Sequence, residues 1–112
     1  MIRVTFTESG KKLSLRLEGH AGYAEAGQDI VCASASILAY TVAQEIKHME
    51  SHGRFAEPPT IDLAEGDATI VCVAKDIKTY EEMLHKFSII KLGYELLAHN
   101  YPQYVEFIDD KA

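Results

Sequence analysis

The sequence is poor in cysteine and in positive charge, and each shortage excludes a class of protein. Only two of its 112 residues are cysteines, Cys32 and Cys72, which is too few for a small scaffold built from disulfides and typical of reduced cytoplasmic thiols. Eleven Lys and Arg face seventeen Asp and Glu, so the net charge is −6. That balance argues against broad binding of nucleic acid, which depends on surplus basic residues, and it favours a basic partner.

Long apolar runs, a leader-like start and linkers are also absent. No apolar run approaches the roughly 20 residues needed to cross a bilayer, and the first residues do not resemble a signal peptide, so we expect neither membrane insertion nor secretion. No repeat, low-complexity tract or Pro-rich linker interrupts the chain. With 47% apolar and 25% charged residues, it has the composition of a folded protein. We predict a single domain over residues 1–112.

Alternation of apolar and polar residues predicts two hairpins and one further strand. Residues 2–7 and 13–18 follow a period of two, with turn residues at 8–11 between them. Residues 61–63 and 69–73 form a second pair around the turn Glu65-Gly66-Asp67. A last short strand covers residues 104–108, and we expect the charged tail Asp109 to Lys111 to be frayed.

Apolar residues spaced by three and four predict two amphipathic helices. The first follows an N-cap at Asp29 and runs to about Gly53. The second opens near Thr79, where Glu82 would complete a capping box, and closes at Asn100. The order β-β-α-β-β-α-β predicts an α+β fold, a two-layer sandwich with both helices on one face of a mostly antiparallel sheet. The opposite face must then be polar or covered by a partner, and the strand order stays open.

Residues with chemical potential concentrate in a glycine-rich loop and the helix start that follows it. His20 lies just after a strand end, and Cys32 falls in the first turn of the first helix. Unpaired N–H groups and the helix dipole favour the thiolate form of a cysteine at such a position. His20 could take the thiol proton and return it to a leaving amine, while the same N–H groups could hold an oxyanion. Asp29 would cap the helix, a role that leaves it poorly placed to orient His20 as well.

At these residues the sequence resembles a known family. Gly19 to Ser36 reads G-H-A-G-Y-A-x-x-G-x-D-I-V-C-A-x-x-S, which is similar to the hallmark of the ribosomal-processing cysteine proteases called Prp. The chain length, the leading hairpin, the two helices, the EGD turn and the Gly93-Tyr94 region are similar too. The resemblance therefore covers nearly the whole chain.

The resemblance implies a cysteine protease domain that removes an N-terminal extension from the twenty-seventh large-subunit ribosomal protein and so supports ribosome assembly. It implies a catalytic dyad of His20 and Cys32 under a mobile cover formed by residues 21–28. It also implies a homodimer. From the cysteine usage, the charge balance and the lack of long apolar runs we expect a cytoplasmic protein that contacts neither nucleic acid nor membrane directly. Further positions that would support activity or line the substrate site are Gly19, Gly22, Gly27, Asp29 and Ser36.

Other interpretations of the same residues remain open. A cysteine in an apolar segment is commonly a small buried hydrophobe, which suits Cys72 in its strand and competes with catalysis for Cys32. Cys32 could also be a redox-sensing thiol, and the chain could be a non-catalytic assembly factor that binds a basic ribosomal protein. A metal site formed by Cys32, His20 and another histidine lacks a C-x-x-C pair to support it, so we predict neither metal nor cofactor. We assign no role to the remaining histidines, His48, His52, His85 and His99.

Overall fold

The elements follow the predicted order β-β-α-β-β-α-β. The computed structural model describes residues 1–25 and 27–111. Its strands and helices are β1 (Ile2–Ser9), β2 (Lys12–Glu18), α1 (Ile30–Ser51), β3 (Thr60–Ala64), β4 (Asp67–Val73), α2 (Ile77–Asn100) and β5 (Val105–Lys111). None of the helices in this part of the chain is long and apolar enough to cross a bilayer.

The five strands form one mixed sheet in the order β3-β4-β2-β1-β5. The two hairpins pair antiparallel, and β2 pairs antiparallel with β4, where Glu18 lies opposite Asp67. β5 runs parallel to β1, with Ile2 opposite Val105. The mostly antiparallel sheet is confirmed, and the parallel edge arises because the chain returns to the sheet through α2.

Both helices pack on one face of the sheet, as predicted. Alternate residues of β1 and β2, such as Val4, Phe6 and Leu15, are buried beneath them. Helix α1 contributes a face of buried residues, Val31, Ala35, Ala39, Val42, Ala43, Ile46 and Met49. Helix α2 contributes another, Thr79, Met83, Phe87, Ile90, Tyr94 and Leu97. The helices contact each other closely, and Tyr94 Oη donates a hydrogen bond of 2.9 Å to the Ala35 carbonyl.

The opposite face of the sheet is largely polar. The strand residues that alternate with the core positions include Thr5, Ser14, Arg16 and Thr69, which are only partly buried or exposed. Arg16 forms ion pairs with Glu18 at 3.2 Å and with Asp67 at 3.1 Å. The sequence left open whether this face is polar or covered by a partner, and the structure shows a polar face.

The start of α2 differs from the expected one. The N-cap is Asp76, whose Oδ1 accepts a hydrogen bond from the Thr79 N–H at 2.8 Å, so Thr79 lies inside the helix. The predicted capping box does not form, because Glu82 instead pairs with Lys86 and Arg54. Asp is the stronger N-cap residue of the two, and it moves the helix start to Ile77.

The chain end is also more ordered than expected. Asp109 to Lys111 continue β5 alongside Phe6 to Glu8 of β1, so the prediction of a frayed tail is wrong for these residues. The Asp109 carboxylate pairs with Lys91 at 2.7 Å. Strand β1 likewise runs two residues past its predicted end, to Ser9, and provides the longer edge on which β5 extends.

Candidate active site

Cys32 lies in the first turn of α1, as the sequence predicted. Asp29 is the N-cap of this helix, and its Oδ1 accepts hydrogen bonds from the N–H groups of Val31 at 3.0 Å and Cys32 at 2.9 Å. The Cys32 side chain is partly buried, and its Sγ accepts a hydrogen bond from the Ala21 N–H at 3.4 Å. The sulfur thus faces the residue that follows His20.

The Asp29 carboxylate also holds the loop that precedes the helix. Its Oδ2 accepts hydrogen bonds from the N–H groups of Tyr23 at 3.1 Å and Ala24 at 3.3 Å. Burial by itself would raise the pKa of Asp29, but these hydrogen bonds and those at the helix start lower it below its ordinary value. With both oxygens occupied by backbone donors, Asp29 forms no hydrogen bond with His20 among the described residues, as expected from its capping role.

The backbone donors at the start of α1 are already used within the protein. The sequence suggests that these N–H groups could hold an oxyanion, but those of Val31 and Cys32 donate to the Asp29 side chain. The N–H of Ala33 donates to the Asp29 carbonyl at 3.0 Å. A capping carboxylate and the first helical hydrogen bond therefore satisfy the donors of residues 31–33.

His20 is placed by the junction between β2 and the loop. Gly19 has a φ of +92°, and a Cβ there would stand 2.4 Å from the Met1 carbonyl oxygen, so only glycine fits. The Gly19 N–H donates to the Gly66 carbonyl at 2.9 Å. The His20 imidazole is exposed and lies against Gly66, and within the described chain it has no hydrogen bond to Cys32.

A single cavity of about 720 Å³ brings the predicted residues together. His20 and Cys32 both line it, and so do the other residues that the motif marked, Gly19, Gly22, Gly27, Asp29 and Ser36. The volume lies within the range of pockets that bind small molecules. Residue 26, which belongs to the predicted cover at 21–28, lies outside the described residues.

The sequence did not point to two walls of this cavity. One is apolar and includes Ile2, Leu17 and Leu63. The other is the turn between β3 and β4, from which Glu65 to Asp67 line the cavity. The EGD pattern predicted a turn, but its place beside His20 depends on the pairing of β4 with β2, which no local signal reveals.

The remaining cysteine and histidines lie away from this cavity. Cys72 is 1% exposed in the core, as predicted, and burial raises the pKa of its thiol to about 12. Two of these histidines, His48 and His52, stand four residues apart in α1, with ring centroids 4.7 Å from each other. No group of three or more potential metal-ligating side chains comes together in the described part of the chain.

Comparison with known proteins decides the family. The family model described as cysteine protease Prp matches residues 1–106. The chain belongs to the Prp family. It is therefore a cysteine protease, a hydrolase of peptide bonds, rather than the non-catalytic binding protein that an acidic surface would equally suit.

Relatives of this Prp family member cover it from end to end. The ribosomal processing cysteine protease Prp of Mycoplasma pneumoniae is 28% identical over 99% of this chain and 97% of its own. A crystal structure of a Streptococcus mutans protein matches with a TM-score of 0.67 and 29% identity, over 100% of this chain and 96% of the other. Prp from S. aureus, crystallised with a covalently linked product peptide, shares the fold at a TM-score of 0.69 and 23% identity, over 98% of this chain and 100% of the other.

Proposed function

We propose that this Prp family member is an endopeptidase that removes the N-terminal extension of the twenty-seventh large-subunit ribosomal protein, with Cys32 as nucleophile and His20 as general base and acid. The observation that carries the proposal is that both side chains line one cavity, at the junction of a strand end, a glycine-rich loop and a helix start. The name of the Mycoplasma pneumoniae relative, a ribosomal processing protease, supports the substrate class.

The proposed reaction conserves protons across two steps. His20 takes the proton of the Cys32 thiol, and the sulfur attacks the scissile carbonyl carbon to form a tetrahedral intermediate. The C–N bond then breaks, and His20 gives its proton to the leaving amine. Water, deprotonated by His20, attacks the thioester carbon, the C–S bond breaks to release the carboxylic acid, and His20 returns its proton to the Cys32 sulfur. The Ala21 N–H that donates to Sγ at 3.4 Å would hold the sulfur on the cavity side of the loop before it attacks.

In this proposal, the hydrogen bond between His20 and Cys32 forms only when substrate is bound. His20 and Cys32 share the cavity without a direct hydrogen bond among the described residues. Catalytic hydrogen bonds commonly tighten only when substrate is bound, and loops commonly close at that step. The product and substrate complexes described for Prp from S. aureus support a peptide as the group that fills the cavity.

Charge supports a basic protein as substrate. The chain has a net charge of −6, and Glu65 and Asp67 add carboxylates to the cavity wall. Ribosomal proteins are basic because they bind RNA, so the enzyme's field would attract such a substrate. The remaining motif positions, Gly19, Gly22, Gly27, Asp29 and Ser36, would support the site by shaping its loop and its first helical turns.

Mass spectrometry of the unprocessed ribosomal protein mixed with the enzyme tests this function. We expect the wild type to release the extension as one peptide, and Cys32→Ala and His20→Ala each to lower the rate by at least about 1,000-fold. Cys72→Ala is the matched control, since it removes a thiol outside the cavity. Full cleavage by Cys32→Ala, with circular dichroism of a folded protein, would overturn the proposal.

We also propose that the enzyme acts in the cytoplasm as a homodimer. Large apolar side chains more than half exposed lie on both helices and would be covered in a dimer, among them Ile37, Ile89, Leu92 and Leu96. Both cysteines are free thiols, in keeping with a reducing compartment. Sedimentation equilibrium should give twice the 12.5 kDa chain mass, whereas a monomer at every concentration would contradict the dimer. Cell fractionation tests the compartment.

A further inference from the structure

Gly66, in the turn between β3 and β4, forms the surface on which the His20 imidazole rests. A Cβ at residue 66 would lie 2.7 Å from His20 Nε2 and 2.9 Å from Cε1. Both distances are below those that carbon atoms tolerate without a shift. The imidazole therefore occupies the space that any side chain at residue 66 would need.

The imidazole has no other visible means of orientation. In the part of the chain that the structure describes, no group forms a hydrogen bond with the His20 ring, and Asp29, the nearest candidate in sequence terms, is fully used by backbone donors. Where a third residue orients a catalytic histidine, it does so by a hydrogen bond. Here the packing contact between the His20 ring and Gly66 takes the role of that hydrogen bond. The hydrogen bond from the Gly19 N–H to the Gly66 carbonyl keeps the end of β2 aligned with the turn between β3 and β4.

We propose that Gly66 is a positioning residue for His20, a claim that rests on the proposed catalytic role of that histidine. The bare α-carbon at residue 66 lets the imidazole lie over the turn with its ring facing the cavity that Cys32 also lines. A methyl group there would move the ring, because the ring is the exposed end of a side chain while the turn is tied to β2 by pairing of Glu18 with Asp67. Displacement of a catalytic group by about 1 Å can cost on the order of 100-fold in rate.

Gly66→Ala tests the proposal against a matched control, Gly10→Ala. Gly10 also lies in a hairpin turn with a positive φ, +62° against +76°, but a Cβ there meets nothing within 4 Å. Both variants share the backbone strain of alanine at positive φ. We expect Gly66→Ala to lower kcat by about 10- to 100-fold with KM within about twofold, while Gly10→Ala cleaves like the wild type.

A double variant separates positioning from a general structural role. If Gly66 acts through His20, Gly66→Ala has no further effect once His20→Ala is present, and the two losses do not add. Additive losses would mean that the turn matters for another reason and would overturn the proposal. The rate of acylation by a peptide ester substrate, followed in a single turnover, gives a second readout, because a displaced imidazole no longer reaches the sulfur when the substrate complex forms in Gly66→Ala.

If Gly66→Ala does not fold, NMR of the wild type still tests the contact between His20 and Gly66. Nuclear Overhauser contacts between the His20 ring protons and the Gly66 α-protons are expected, and their absence would overturn the contact itself. Equal kcat in Gly66→Ala and Gly10→Ala, with His20→Ala inactive, would reject the positioning role and leave the proposed function standing. A fully active His20→Ala would instead reject the catalytic role, and the role of Gly66 with it.

Discussion

Cys32 and Cys72 have the same side chain in opposite environments. Cys72 lies within β4 in the core, 1% exposed, where burial raises the pKa of the thiol to about 12. Cys32 lies in the first turn of α1 at the wall of a cavity, and its sulfur accepts a hydrogen bond from the Ala21 N–H. The environments of the two thiols thus make Cys72 an inert core residue and leave Cys32 accessible to a solute.

Iodoacetamide should therefore modify one thiol of the native protein. At pH 7.5 we expect a single adduct, mapped to Cys32 by peptide mass spectrometry, because the thiol of Cys72 is buried and protonated. The Cys32→Ala variant should take up no label until denaturant is added, after which Cys72 reacts. Labelling of both residues at similar rates in the folded protein would contradict this assignment.

Asp29 shows how far sequence reasoning reaches at a single residue. Its spacing before an apolar face predicted the N-cap, which is a local property, and the cap is confirmed. The oxyanion site that the sequence suggested next to it is not available at Val31 and Cys32, since the same carboxylate binds their N–H groups. Its second pair of bonds, to Tyr23 and Ala24, depends on how the loop folds back.

The glycine-rich loop is held at its middle by an aromatic contact. The Tyr23 ring packs edge-to-face on Tyr101 at 5.6 Å and on Tyr104 at 5.2 Å between ring centroids. Both partners lie in the connection between α2 and β5, a distant part of the sequence. A motif can indicate that the loop matters, but it does not reveal this long-range partner, and Tyr23 was given no role of its own.

Loss of the Tyr23 ring should loosen the loop more than it destabilises the fold. We expect Tyr23→Ala to lower the free energy of unfolding by no more than about 1.5 kcal/mol, since Tyr23 is 43% exposed and an aromatic pair contributes about 0.5–1.5 kcal/mol. Faster amide hydrogen exchange at residues 23 and 24 and slower cleavage should accompany it. Tyr23→Phe, which keeps the ring, is the control and should match the wild type. Wild-type exchange and cleavage in Tyr23→Ala would contradict the anchoring role.

The predicted ends of helices and strands are wrong where a competing capping residue or a partner distant in sequence determines them. Asp76 outcompetes Thr79 as the cap of α2 because its side chain accepts the Thr79 N–H. The polar tail from Asp109 to Lys111 was predicted to be frayed. It is ordered because it pairs with the edge of β1 and because Lys91 forms an ion pair with Asp109. Periodicity detects the middle of an element, whereas partners in space decide its ends.

At the scale of the molecule, the strand order assembles the site. The pairing of β4 with β2 ends at Glu18 opposite Asp67, and this register places Gly66 beside Gly19 and His20. The motif located the histidine and the cysteine because both lie within one contiguous stretch. The turn that completes the cavity could not be predicted, because the sequence analysis left the strand order open and the turn reaches the site only through it.

A network of charges joins the two helices to the segment between α1 and β3. Lys86 of α2 pairs with Glu45 of α1 and, at 3.1 Å, with Glu82, which also pairs with Arg54. The hydrogen bond from Lys86 is the main cause that lowers the pKa of both Glu45 and Glu82. These four side chains are only 28–35% exposed, so solvent screens them less than it screens an isolated surface pair.

The stability from this network should disappear in acid. A carboxyl group whose folded-state pKa is lowered contributes its full stabilisation above its ordinary pKa near 4.3, and that contribution is lost as pH falls through the lowered pKa of the folded state. We expect Glu45→Gln to lower the free energy of unfolding at pH 7 by about 0.5–1 kcal/mol after allowance for screening, and to match the wild type at pH 2.5. The control is Glu106→Gln, which breaks a pair with Arg3 whose side chains are 43% and 58% exposed, and it should have little effect at either pH. Urea unfolding at both pH values measures the difference, and an equal loss from Glu45→Gln at pH 2.5 would show that its contribution is packing rather than charge.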